Sequence, residues 1–236
     1  MSNDYFKFKQ FTVRQDKTAM KVGVDSVLLG SWISVNGSEK NVLDIGSGTG
    51  LLALMMAQKI PAARIIACEI DGNACRQASG NISAAGWSER ITVVNADIKT
   101  YTQNSGSFDL IICNPPYFEK SLKSQDSKRN FARHSDSLSL SDLTDCVDRL
   151  LSNDGRFALI VPADKAGTVT ELAGNKKLFP IRRLNVKSGE TKPVNRVIME
   201  FSRIFRPPEE NTLTVRAGNC YSDEYKSLTK DFYLLF

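Results

Sequence analysis

The sequence predicts an α/β protein built on a doubly wound, mostly parallel sheet, and three features carry that prediction. Short, almost continuous apolar runs recur along the chain, as strands covered on both faces require. Helix-period segments separate them, the pattern of repeated β-α-β units. The first run, Asn41–Ile45, passes directly into Gly46-Ser47-Gly48-Thr49-Gly50, a glycine-rich turn from strand to helix.

Taken in order, Asn41–Ile45 is a strand and LLALMMAQ opens an apolar helix. Arg64–Glu69 is the second strand, and residues 72–85 form a helix that Gly86 can end. Residues 91–96 and 109–113 supply the third and fourth strands. In 142–151, Leu143, Val147, Leu150 and Leu151 recur at helical spacing, with Ser141 as candidate N-cap. Asn153-Asp154-Gly155 turns the chain into a strand at 157–161, and 196–205 and 213–216 complete the series. Residues 119–139 contain few apolar side chains and read as a long loop, a feature that in compact domains is usually functional or disordered.

Composition narrows the function classes. Hydrophobic residues make up 42% of the 236, enough for a core and too many for a disordered chain. No apolar run approaches the ~18 residues of a membrane span, and MSNDYFKFKQ lacks the apolar stretch of a signal peptide. The five cysteines (68, 75, 113, 146, 220) form no Cys-x-x-Cys pair and the chain has one histidine, so no metal is expected. A reduced, cytoplasmic protein is the expectation. The net charge is +5 and unevenly spread: residues 176–206 hold nine basic and two acidic side chains. Lys120, Lys123, Lys128, Arg129 and Arg133 form a second basic group against Glu119 and Asp126. Clustered positive charge suits a polyanionic partner.

The glycine turn decides the cofactor class. A dinucleotide fingerprint requires glycine three positions after Gly48, and position 51 is Leu. Glu69 ends the next strand about 20 residues on, where a carboxylate can accept from both hydroxyls of a ribose. Asp97, after the third strand, sits where an acceptor could meet an adenine amino group. Asp44, the alternate glycines Gly46, Gly48 and Gly50, Glu69 and Asp97 together resemble the S-adenosylmethionine-dependent methyltransferases.

The resemblance implies a Rossmann-like, seven-stranded, mostly parallel sheet whose last strand is antiparallel, with S-adenosyl-L-methionine over the carboxyl ends of the first three strands. It also gives meaning to FDLIICNPPYF at 108–118, a core strand that surfaces into Asn114, Pro115, Pro116 and Tyr117. One proline would stop a strand. Asn-Pro-Pro-Tyr is the signature of enzymes that methylate a planar, conjugated nitrogen. Such a nitrogen is a weak nucleophile because its lone pair is delocalised into the ring. If the Asn114 amide oxygen and the Pro115 carbonyl each accept one amine hydrogen, the nitrogen is drawn towards sp³ geometry. Consecutive prolines keep that carbonyl aimed. Tyr117 can stack on an extruded base, worth roughly 1–3 kcal/mol. No catalytic His or Cys is needed, since the amine becomes acidic only once methylated.

The motif leaves adenine, cytosine and glutamine amides open as acceptors. Wider stretches (FKQF at 8–11, AMKVG at 19–23, LLGSW at 28–32, and the aromatic residues from Tyr221 to Tyr233) resemble the bacterial tRNA N6-adenine methyltransferases that modify the adenosine 3′ of the anticodon in valine tRNA. That resemblance implies a domain spanning 1–236, with 1–40 covering cofactor or substrate and 41–236 as catalytic core. It places Lys21, Asp44, Gly46, Gly48, Gly50, Glu69, Asp97 and Asn114 at the cofactor. It makes valine tRNA the partner, without membrane or metal, and a monomer is favoured. Lys120, Lys123, Lys128, Arg129, Arg133, Arg182 and Arg183 are then the expected phosphate contacts, flanking the catalytic mouth. Phe6, Phe8 and Phe11, interleaved with Lys7 and Lys9, could meet RNA or clamp the cofactor. The rivals are a release-factor glutamine methyltransferase, which carries a helical domain before the glycine turn, and a non-catalytic RNA-binding relative.

Overall fold

In the computed structural model, which describes residues 3–16, 18, 21–102, 107–116 and 138–236, an N-terminal hairpin comes first. Its strands are β1 (Tyr5–Lys7) and β2 (Thr12–Arg14), and helix α1 (Val24–Trp32) follows. Next come β3 (Asn41–Ile45), α2 (Leu51–Lys59), β4 (Arg64–Glu69), α3 (Gly72–Ala84), β5 (Ile91–Asn95) and β6 (Phe108–Cys113). The second half contains α4 (Leu140–Leu150), β7 (Leu151–Pro162), α5 (Ala166–Gly174), β8 (Phe179–Lys187), β9 (Val194–Ser202) and β10 (Glu209–Thr214). Two short strands, β11 (Arg216–Ala217) and β12 (Cys220–Tyr221), lead to α6 (Asp223–Thr229).

Among the described residues eight strands form one sheet in the order β10-β8-β9-β7-β6-β3-β4-β5. All pairings are parallel except those of β9, which runs antiparallel to both neighbours. The seven strands read from the sequence are present, the last of them as β10 at Glu209–Thr214 and not 213–216, and β8, which the sequence reading did not name, makes the eighth. Alternate residues of each strand feed two cores, because successive side chains point to opposite faces. Leu110 and Ile112 of β6 join α1, α2, α3 and the hairpin in one core, while Ile111 and Cys113 join α4 and α5 in the other. Strands β3 and β6 are neighbours, yet the chain proceeds from them in opposite directions. That reversal opens a crevice at the carboxyl ends of the strands.

Several boundaries differ from the sequence reading. The N-cap of α4 is Ser139, not Ser141: its Oγ accepts from Asp142 N at 3.0 Å while the Asp142 carboxylate accepts from Ser139 N at 3.3 Å. This reciprocal pair satisfies two groups that a helix start otherwise leaves open. Strand β7 absorbs the anticipated turn at Asn153-Asp154-Gly155 as an irregularity, with Leu151 opposite Phe108 but Arg156 opposite Leu110. A Cβ on Gly155 would lie 2.7 Å from the Phe108 carbonyl, so only glycine fits. Strand β8 has no clear sequence signal, because a register shift between Pro180 and Arg182 breaks the alternation that would reveal it.

The hairpin is stapled to the glycine turn by Asn81 of α3. Its side chain accepts from Arg14 N at 2.8 Å and donates to the carbonyls of Arg14 and Thr49, both at 2.9 Å. At the opposite end of α1, the fully buried Glu200 accepts from Ser34 N at 2.8 Å and from Arg182 at 3.2 Å, with Arg156 3.6 Å away. The Arg182 guanidinium also lies 4.1 Å over the Trp32 ring. Removing one partner of a buried ionic cluster strands the others without compensation. Glu200→Ala is therefore expected to lower unfolding free energy by about 3–5 kcal/mol, read in urea melts, with cofactor affinity per folded molecule unchanged.

Candidate active site

After Ile45 the chain leaves the sheet through Gly46, Gly48 and Gly50, whose φ angles are 69°, 53° and 79°. L-residues with a Cβ avoid this region, so the turn requires glycine. The turn is tied to β4, since Gly46 N and Ser47 N both donate to the Cys68 carbonyl, at 2.9 and 3.1 Å. A Cβ on Gly46 or Gly48 would meet nothing within 4 Å, so open space lies beside their backbone. On Gly50 it would sit 3.3 Å from Ala78 Cβ, so this glycine serves the close packing of the turn on α3.

Asp44 lies beneath the turn with no exposed surface. Its Oδ2 accepts from Ala53 N at 3.1 Å, near the start of α2, and its Oδ1 has no partner among the described residues. Burial pushes its pKa up to about 7, the Ala53 N–H opposes this, and the nearby Glu69 charge adds to it. Glu69 accepts from Gly48 N at 2.8 Å through Oε2 and from Asp71 N at 2.9 Å through Oε1. Each oxygen keeps acceptor capacity for a hydroxyl. Asp71 itself caps α3, accepting from Ala74 N at 2.7 Å. Asp97, beyond β5, accepts from Lys99 N at 2.9 Å and is partly exposed.

One residue past β6, Asn114 donates through Nδ2 to Ser26 Oγ at 2.8 Å. Its Oδ1 is buried and without a partner among the described residues. Pro115 is buried and Pro116 exposed. Gly46, Glu69, Asp97 and Asn114 thus stand at or just past the carboxyl ends of β3, β4, β5 and β6, four adjacent strands of one edge. Lys21 lies exposed just before α1. Cys113 and Cys68 are no nucleophiles: burial raises the first thiol well above its usual value and the second to about 12. Tyr117, Lys120, Lys123, Lys128, Arg129 and Arg133 lie outside the described residues.

Ser26 was not singled out from the sequence. Asp25 pairs with Arg196 at 2.8 Å, tying the start of α1 to β9 beside Asn114. An acidic first turn ahead of Val27, Leu28 and Leu29 was the available sign of a helix there. Arg182 and Arg183 do not flank the mouth as expected. Arg182 is held against the C-terminal end of α1, whereas Asn114 meets the N-terminal end, a helix length of about 13 Å away. Arg183 points to the opposite face and donates to Asn185 Oδ1 at 3.0 Å. From the same basic segment, Lys187 and Arg196 stand at the carboxyl edge, Arg196 opposite Pro162 at the end of β7. Phe8 and Phe11 are core residues, so neither is a free RNA contact.

The cradle suits S-adenosyl-L-methionine: an orphaned buried carboxylate oxygen faces a cationic ligand's needs, and open glycine backbone leaves room for it. Fold and site together define an S-adenosylmethionine-dependent methyltransferase. A family model described as Methyltransferase small domain matches residues 18–140. The chain is 47% identical, over 99% of both sequences, to a tRNA1(Val) (adenine(37)-N6)-methyltransferase of Bacteroides fragilis, and 44% identical over full lengths to one of Trichodesmium erythraeum. Among solved structures, a predicted O-methyltransferase of Agrobacterium tumefaciens matches with TM-score 0.69 at 15% identity, covering 88% of this chain and 96% of that one. M. jannaschii TYW2 in complex with AdoMet matches with TM-score 0.59 at 16% identity, covering 85% and 86%. These structural likenesses establish the fold. The chain belongs to the tRNA1(Val) (adenine(37)-N6)-methyltransferase family. Among the described residues no group of three or more His, Cys, Asp or Glu could hold a metal, and no helix is long and apolar enough to cross a membrane.

Two outcomes follow for the cofactor cradle. Glu69→Ala is expected to weaken S-adenosyl-L-methionine binding by about 1.5–3 kcal/mol in calorimetry, through loss of charge-assisted acceptors; unchanged affinity would place the ribose elsewhere. Asp44 sets a pH dependence. Its folded pKa of about 7 exceeds the ordinary 3.8, so between those values the folded state holds a proton that the unfolded chain releases. Without ligand, its contribution to stability therefore falls as pH rises through that window and levels off above about 7. Asp44→Asn should remove this slope in urea melts from acid to neutral pH, and coincident slopes for the two proteins would refute the assignment.

Proposed function

We propose that the protein transfers the methyl group of S-adenosyl-L-methionine to the N6 amine of adenosine 37 in valine tRNA. The observation that carries this reading is Asn114: its amide nitrogen is anchored on Ser26, and its Oδ1 is buried beside the cofactor cradle without a partner among the described residues. An unpaired buried acceptor costs about 1–3 kcal/mol and is retained where a donor will arrive. The names of relatives that are 40–47% identical along nearly the whole chain support the substrate.

Each residue has a derived task. Asp44 would hold the ammonium of the cofactor's amino-acid end, Glu69 the ribose hydroxyls and Asp97 the adenine amine. When bound, S-adenosyl-L-methionine supplies a methyl group on a sulfonium, whose departure leaves a neutral thioether. Asn114 Oδ1 and the Pro115 carbonyl would accept the two hydrogens of the substrate amine, freeing the nitrogen lone pair to form the new C–N bond. The same acceptors stabilise the positive charge that develops on nitrogen. Solvent takes the surplus proton afterwards, so the chain needs no general base. Tyr117 is assigned to stacking on the base, and the 120–133 basic group, with Lys187 and Arg196, to the phosphates.

Asn114→Ala is expected to reduce turnover at least about 100-fold, the scale for losing an oriented polar group in a transition state, while cofactor affinity stays close to that of the wild type. Methyl transfer to unfractionated tRNA followed by nucleoside digestion reads this directly. Normal turnover in this variant would end the assignment of Asn114.

A further inference from the structure

Beside the acceptor pocket lies a cleft of about 370 Å³ between the hairpin, the turn before α1 and the C-terminal tail. Phe6, Val24, Tyr221, Tyr233 and Phe236 line it. Leu234 and Leu235, also in its wall, are 52% and 90% exposed. Large apolar side chains left open around a concavity mark a ligand surface. The walls are held in place: Lys9 Nζ donates to the carbonyls of Lys230 and Phe236 at 2.6 and 2.7 Å, and Phe8 bridges to Tyr233. Tyr221 stacks on the buried Tyr225 with ring centres 4.8 Å apart.

Two further observations identify the occupant. The first is continuity with the site. Gly23 and Val24 line the cleft, and Ser26, two residues beyond Val24, is the anchor of Asn114. Two residues span at most about 7 Å and positions i and i+2 of a helix face different sides, so the cleft and the acceptor pocket lie on either side of the first turn of α1, within reach of neighbouring nucleotides of one RNA. The second is charge. Lys7 lines the cleft, and the Arg216 guanidinium lies 4.7 Å over the Tyr221 ring. Aromatic walls with cations beside them suit a base and its phosphate.

We propose that this cleft receives an unstacked nucleobase next to the target adenosine; the proposal rests on the RNA substrate reading above. Extruding the target adenine removes a stacking partner from each neighbouring base. An aromatic cleft one step from the acceptor pocket restores that contact for one neighbour. It does so without reading the neighbour's identity, since every base has a stacking face. The site therefore positions RNA and takes no part in methyl transfer.

The test is a cycle of protein and RNA changes, read by methyl transfer to valine tRNA reassembled intact or with an abasic site on either side of the target. Leu235→Asp places a charge at a highly exposed wall residue, Phe6→Ala removes an aromatic wall, and Phe6→Tyr keeps it. Melting temperature and cofactor affinity are followed for each variant. On intact tRNA, Leu235→Asp and Phe6→Ala should raise KM roughly 5- to 100-fold, the range expected for losing one base–aromatic stack. Phe6→Tyr should stay close to wild type. One of the two abasic tRNAs should raise the wild-type KM by a similar factor and erase the difference between wild type and the first two variants. Unchanged KM for Leu235→Asp on intact tRNA, or losses that simply add on both abasic tRNAs, would overturn the cleft assignment alone. Wild-type protein that methylates no tRNA would instead overturn the substrate reading on which it rests.

Discussion

The turn after β3 exists only because Gly46, Gly48 and Gly50 can hold positive φ, and the geometry of the ligand edge follows from it. A side chain at these positions would cost roughly 1–2 kcal/mol each in backbone strain. The same turn brings Gly46 N and Ser47 N onto one carbonyl of β4 and Gly48 N onto the Glu69 carboxylate. The glycine turn and the Glu69 carboxylate are thus parts of one hydrogen-bonded unit, and a change in either moves the other. Asp44 Oδ2 meets Ala53 N from below, so the start of α2 is fixed to the same strand.

The ligand edge carries buried polar groups that the described residues leave unsatisfied. Asp44 Oδ1, Ser47 Oγ and Asn114 Oδ1 are buried without partners among the described residues. Orphan acceptors of this kind destabilise the free protein by about 1–3 kcal/mol each. Their cost is offset by packing elsewhere, chiefly the two apolar cores on either face of the sheet. The raised pKa of Asp44 is the electrostatic form of the same cost. A ligand that supplies donors and positive charge therefore stabilises this edge.

Helix α1 links the acceptor pocket to the far side of the molecule. Its first turn holds Asn114 through Ser26 and Arg196 through Asp25. Near its end, Lys59 donates to the carbonyls of Gly30, Ser31 and Ile33 at 3.2, 3.0 and 2.6 Å, although burial lowers the pKa of that amine to about 8. A cation there suits the negative end of the helix dipole. Gly30 lets α1 approach α2, since a Cβ would lie 2.5 Å from Met55 Sδ. The helix is therefore seated at both ends, which keeps the amide of Asn114 in one orientation.

The sequence by itself determined the parallel sheet, the glycine turn with Asp44 and Glu69 beside it, and the exit of β6 into Asn114-Pro115-Pro116. These depend on local chemistry: apolar strands buried on both faces, glycine where φ is positive, and proline where a ladder must stop. Strand β8 escaped notice because its register shift hides the alternation. Ser26 escaped because it lies 88 residues from Asn114, and no local pattern joins them. The basic segment misled for a related reason. Adjacent arginines of a strand point to opposite faces, and Arg182 finds its partner on β9 and its ring on α1. Whether a charged side chain meets solvent, a ligand or a buried carboxylate depends on which strands pair across the sheet, and only the tertiary structure decides that.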